Sequence, residues 1–126
     1  MLSPRLQVAA GAKVFAMHCA SCHGAQLEGG AGPTLVGPDF SASVQQDGLA
    51  LGDVFGIIAY QMPYDAPSSL SHADYERVMA FLLDRNHQSL PAGGIVYDDA
   101  IKSKAPFFAP IAATTKAPAD APASAR

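Results

Sequence analysis

Cys19, Cys22 and His23 are the residues whose types and spacing carry chemistry, within the run Met17-His18-Cys19-Ala20-Ser21-Cys22-His23-Gly24. Two thiols three positions apart lie about one helical turn from each other, so both can reach the two neighbouring vinyl groups of a haem and form thioethers. Cys-x-x-Cys-His is the spacing of covalent haem attachment, and His23 then lies under the iron as the proximal ligand. Three other chemistries use paired cysteines and fit less well. A thioredoxin-like pair opens a helix after a strand, and no strand-rich segment precedes Cys19. A zinc site would be half missing, because these are the chain's two cysteines, and His18, Cys19, Cys22 and His23 are too close in sequence to wrap one tetrahedral ion. A disulfide between the two would close a very small, strained ring.

Length and composition fit one small domain with a cofactor at its centre. The chain has 126 residues and is 49% hydrophobic, and a body of that size buries limited apolar surface of its own. A net charge of −3 gives no basic footprint for nucleic acid or for an anionic membrane. The apolar runs are far too short for a membrane span.

The elements that must position the motif can be read in chain order. Arg5 to Met17 carries apolar or small residues at Leu6, Val8, Ala9, Ala12, Val14, Phe15 and Ala16, a helix pattern with Gly11 in its middle. A glycine there costs about 1 kcal/mol relative to alanine, which points to a close helix crossing. From Gly24 to Ala50, glycine and proline recur so often that no long regular element is expected. Such a loop in a small domain needs something to wrap, and Leu35, Val36 and Phe40 are its expected apolar contacts with haem. Leu51 to Tyr60 reads as a short helix with Leu51, Val54, Phe55 and Ile58 on one stripe. Pro63 then makes Met62 extended and puts its thioether on a loop. Ser71-His72-Ala73-Asp74 reads as a capping box, opening a helix with Tyr75, Val78, Met79 and Leu82 on one face. After Leu90-Pro91 the periodicity is lost, and Thr114 to Arg126 has the composition of a disordered tail. Phe107, Phe108 and Ile111 stand out there, either packing back on the body, docking on a partner or tethered loosely.

With these features together, the chain resembles a class I cytochrome c over roughly residues 5–88. It is similar to small bacterial cytochromes c and to the cytochrome domains fused to quinoprotein dehydrogenases, most closely over Met62 to Asn86. The resemblance implies an all-α fold of three or more short helices and long loops around one covalent haem c. It assigns the distal ligand to Met62 and gives Pro33 the carbonyl that holds the proximal histidine, with Gly11 and Phe81 where the first and last helices cross. Phe81 stands where tyrosine is common, and no ring of lysines is present. The remaining methionines fit the distal role less well: Met1 is terminal, Met17 is on the proximal side, and Met79 sits on the apolar stripe of a helix. His18, His72 and His87 stay as alternative distal ligands.

The expected organisation is a cytochrome domain at 1–90, an extension at 91–112 and an Ala/Pro-rich tail at 113–126. The expected cofactor and site residues are haem c with Cys19, Cys22, His23, Pro33, Leu35 and Met62, the iron being held by His23 and Met62. The expected function is electron carriage between redox protein partners, from a dehydrogenase donor to an oxidase acceptor, in a protein that is not itself an enzyme and is a monomer when free. A haem subunit or fused domain of a dehydrogenase or oxidase is the alternative, with a haem sensor or peroxidase behind it. No apolar signal core begins the sequence, while haem attachment of this type follows export. The chain is therefore read as a mature periplasmic form or as a domain of a longer exported protein.

Overall fold

A computed structural model describes residues 3–108; Ile111 and the tail at 113–126 lie outside the described residues. The first helix, α1 (Pro4–His18), starts where the Ser3 hydroxyl accepts from the Leu6 N–H at 3.2 Å and Pro4 presets the first turn. The motif follows on a single turn, α2 (Ala20–His23). Then come α3 (Gly37–Gln46), α4 (Leu51–Gln61), α5 (His72–Arg85) and α6 (Tyr97–Ile101). Among the described residues the only β pairing is an isolated bridge between Ala50 and Pro106.

The frame is the pair α1 and α5. They cross at Gly11, where a Cβ would run into the Arg77 carbonyl oxygen and lie 2.9 Å from the Phe81 Cβ. Absence of a side chain there lets two backbones touch, and the Phe15 and Phe81 rings close the crossing with centroids 5.5 Å apart. Helix α5 begins as its sequence indicates, with the Ser71 hydroxyl accepting from the Asp74 N–H at 3.1 Å. The reciprocal half of the capping box is not made, because the Asp74 carboxylate takes Arg77 at 2.8 Å instead. Tyr75, Val78, Met79 and Leu82 are all buried on the expected stripe.

One expectation is overturned. The segment from Gly24 to Ala50 contains a ten-residue helix, α3. Gly37-Pro38 looks like loop punctuation, but proline in the first turn is a helix start, since its missing N–H would have no partner there anyway. Asp39 adds a favourable charge to the same turn, and Phe40 and Val44 fall on one face. That face turns Phe40 toward Phe107 and Phe108, with centroids 5.7 and 5.9 Å away, so it packs against the chain's later residues rather than lining the cavity described below.

The residues after Leu90 are built into the same core. Ile95, Ala100 and Phe107 are buried with the helices. The buried Gln7 side chain bonds Ile95 twice, donating to its carbonyl at 2.9 Å and accepting from its N–H at 2.7 Å. Periodicity could not announce this, because α6 is barely more than one turn.

Candidate haem site

The turn of α2 is closed by the His23 N–H on the Cys19 carbonyl at 3.0 Å and the Gly24 N–H on Ala20 at 2.8 Å. Cys19 and Cys22 thereby sit on one edge of a cavity of about 850 Å³, a size suited to a large organic cofactor. Its lining includes all six residues expected from the sequence: Cys19, Cys22, His23, Pro33, Leu35 and Met62. Phe15, Ile58, Val78 and Leu82 add apolar wall from α1, α4 and α5. Val36 is not in the lining, although it packs at the edge of the core.

His23 is buried and fixed. Its Nδ1 lies 2.8 Å from the Pro33 carbonyl oxygen, which can only accept, so Nδ1 carries a proton and donates it there. The glycine loop makes that contact possible. The Gly32 N–H binds the Cys22 carbonyl at 2.8 Å and the Gly29 N–H binds His23 at 2.7 Å. A Cβ on Gly32 would come 3.0 Å from His23 Cε1, so any side chain there would press on the ring and push it by a few tenths of an ångström. Further along, the Asn86 amide donates to the Leu35 carbonyl at 3.0 Å and ties the loop to the end of α5.

Met62 enters from another part of the chain. It caps α4 with φ −115° and ψ 151°, the extended backbone that a following proline demands. Its N–H continues the helix to Ile58 at 3.2 Å, and its carbonyl accepts from the Tyr75 hydroxyl at 2.6 Å. The same hydroxyl accepts from the Leu70 N–H at 3.3 Å. Sequence patterning marks Tyr75 only as a member of an apolar stripe. The available signal is its type, because a buried tyrosine needs a partner for its hydroxyl. Of the alternative histidines, His72 stacks on Tyr97 with centroids 3.7 Å apart, and neither it nor His87 lines the cavity. His18 does line it, one residue before Cys19.

Burial, with Cys22 adjacent as the lesser cause, pushes the Cys19 thiol up from 9.0 to about 11. A dithiol built for disulfide exchange needs the opposite, a thiol whose pKa is lowered so that the thiolate can attack. A Cys19 thiol held protonated beside an apolar cavity, with Cys22 and the His23 imidazole in the same lining, is instead part of a donor set that fits haem c.

The helical frame, its loops and this cavity are those of an all-α class I c-type cytochrome. The sequence model of the family described as cytochrome C oxidase, cbb3-type, subunit III matches residues 6–82, and the chain belongs to that family. Membership implies haem c and haem-based electron transfer. Among solved structures the chain is similar to a chain of the sulfane dehydrogenase SoxCD from Paracoccus pantotrophus, at 24% identity and a TM-score of 0.55. The match covers 94% of this chain and 68% of that one and shows a shared fold. Comparison with curated proteins gives no match.

Proposed function

We propose that the chain is an electron carrier in which Cys19 and Cys22 hold one haem c by thioethers and His23 and Met62 are its axial ligands. The bound haem supplies a one-electron Fe(III)/Fe(II) couple. Pro33 orients the His23 ring and keeps its proton on Nδ1, and Leu35 provides apolar wall. A neutral, soft Met62 thioether favours the reduced state more than a second imidazole would, which sets a high potential. With His23 and Met62 both holding the iron, no site would be left for a small substrate, and the chain would accept and pass single electrons to protein partners, from a dehydrogenase toward a terminal oxidase or other acceptor. The reading places it in the periplasm as a monomer when free. Among the described residues, no helix is long and apolar enough to cross a membrane.

The observation that carries this reading is the convergence of Cys19, Cys22, His23 and Met62 on one apolar cavity, with His23 already fixed by Pro33. A second arrangement, the same chemistry within a fixed oxidoreductase complex, is favoured by the family's description as an oxidase subunit and by the likeness to a dehydrogenase chain. A stable complex that co-purifies with the chain distinguishes it from a free carrier.

The test is spectroscopic. After expression with a haem-attachment system, the haem should resist acid-acetone extraction and the oxidised protein should show the weak near-red sulfur-to-iron band. Met62→Ala should abolish that band, lower the potential and open the iron to cyanide and carbon monoxide. An unchanged band and potential would remove Met62 from the role. Fast carbon monoxide binding by the unmodified protein would replace the carrier with a ligand-binding haem protein.

A further inference from the structure

Helix α4 carries Met62 at its C-terminal end, and what holds the other end is not the α1/α5 frame. The first N–H groups of a helix have no partner within it. In α4 two of these groups are satisfied by residues far along the chain: Leu51 donates to the Ala105 carbonyl at 2.7 Å and Gly52 to the Ser103 carbonyl at 3.0 Å. Gly52 has no room for a side chain, since a Cβ would lie 2.6 Å from the Ser103 oxygen and 2.9 Å from that of Ile101. One turn on, the Phe55 ring meets Tyr97 edge to face at 5.1 Å. Helix α4 meets α6 more extensively than it meets α5.

The segment that receives α4 is itself anchored on the frame at two points. Gln7 of α1 makes its paired bonds to Ile95, and Glu76 of α5 accepts from the Tyr97 N–H at 2.7 Å. Besides its direct packing on α5, helix α4 is therefore tied to α1 and α5 through residues 95–105. At its far end the Met62 carbonyl accepts from the Tyr75 hydroxyl at 2.6 Å and from the Ser68 N–H at 3.3 Å. A helix moves as a rod over a length this short, so a shift at Leu51 is carried to Met62.

We propose that residues 95–105 are the positioning clamp for the Met62 ligand, acting through the Ser103 and Ala105 carbonyls on the start of α4, so that loosening this segment releases Met62 from the cavity. The proposal rests on Met62 being the distal ligand. Two backbone hydrogen bonds lost at the start of α4 correspond to a roughly 10-fold to 100-fold rise in the released population. By linkage, displacing Met62 must in turn loosen the clamp.

The full-length holoprotein tests it with Gly52→Ala, Gln7→Leu and Met62→Ala. In an unconstrained helix Gly52→Ala would be stabilising, because alanine is the better helix former. Here it should weaken the near-red band, lower the potential and speed cyanide binding roughly 10-fold to 100-fold. Gln7→Leu touches neither α4 nor the cavity and should act in the same direction. Unchanged band and cyanide rates in both variants would overturn the clamp. If neither variant yields holoprotein, hydrogen exchange in the unmodified protein decides. Saturating cyanide should deprotect the Leu51 and Gly52 amides, and unaltered protection overturns the clamp. A near-red band that is missing from the unmodified protein, or that survives in Met62→Ala, overturns the ligand assignment and the clamp with it. A band lost in Met62→Ala but unmoved by the other two variants overturns the clamp alone.

Discussion

At the scale of single residues, local chemistry was legible and long-range polar contacts were not. Cys19, Cys22 and His23 are separated by fewer than five positions, so their geometry is fixed by one turn of helix whatever the rest of the chain does. Met62 could be singled out because Pro63 dictates its backbone and the other methionines sit elsewhere. Tyr75, Asn86 and Gln7 left no such trace, since each bonds a backbone group distant in sequence, and backbone groups are the same at every position. Tyr75→Phe removes the shorter of two hydrogen bonds to the Met62 carbonyl, a loss of about 1 kcal/mol, and leaves it the longer one from the Ser68 N–H at 3.3 Å. The near-red band should persist while cyanide binds several-fold faster, measured by stopped flow. Cys19 offers a pH test in the chain before haem attachment. Its thiol stays protonated in the folded chain up to about 11, while an unfolded chain releases that proton from 9.0 upward. Stability contributed by the protonated thiol is therefore complete below pH 9 and falls as pH rises toward 11. Alkylation of Cys19 should show a midpoint near 11, against the lowered value of an exchange-active dithiol.

At the scale of elements, α1, α4 and α5 follow the apolar stripes that the sequence shows, whereas α3 hides in glycine-proline punctuation and α6 is barely more than one turn. Helix α5 has a serine cap and four buried apolar residues at helical spacing. Helix α3 was lost because Gly37-Pro38 carries two meanings, the end of a loop and the start of a helix. Only burial of Val44 and the packing of Phe40 on Phe107 decide between them. The crossing of α1 and α5 was legible because a glycine amid helix formers has few other reasons to be there. Gly11→Ala must push against the Arg77 backbone, which cannot step aside as a side chain would. The expected cost is about 1–3 kcal/mol despite alanine's better helix propensity. The melting temperature should fall by roughly 4–8 °C for each kcal/mol in a domain of this size. A rise in melting temperature would show that the two helices do not meet at this point.

At the scale of the whole molecule, charge decides how a partner finds the cavity. Residues 1–90 carry Arg5, Lys13, Arg77 and Arg85 against Glu28, Asp39, Asp47, Asp53, Asp65, Asp74, Glu76 and Asp84, four bases and eight acids for a net −4. Two of the bases are occupied within the fold: Arg77 pairs with Asp74 at 2.8 Å and Arg5 with Asp84 at 3.3 Å. Among the described residues the one carboxylate around the cavity is Asp65, and no lysine or arginine lines it. Its lining does include two large, well-exposed side chains from opposite parts of the chain, Met17 at 76% and Tyr64 at 82% exposure. A surface of that kind gives a partner apolar area to bury and little charge to steer by. Steered complexes gain orders of magnitude in association rate at low salt and lose it as the Debye length shrinks to about 8 Å. For this chain the bimolecular electron-transfer rate with its physiological partner should change by only about 2-fold between low and physiological ionic strength. Met17→Ser and Tyr64→Ser together should slow the same rate roughly 10-fold or more while leaving the potential unchanged, because both act on docking and neither touches the Met62 backbone. A steep decline with salt would place recognition on charged residues away from the cavity. A rate unaffected by the double variant would place docking on another face of the molecule.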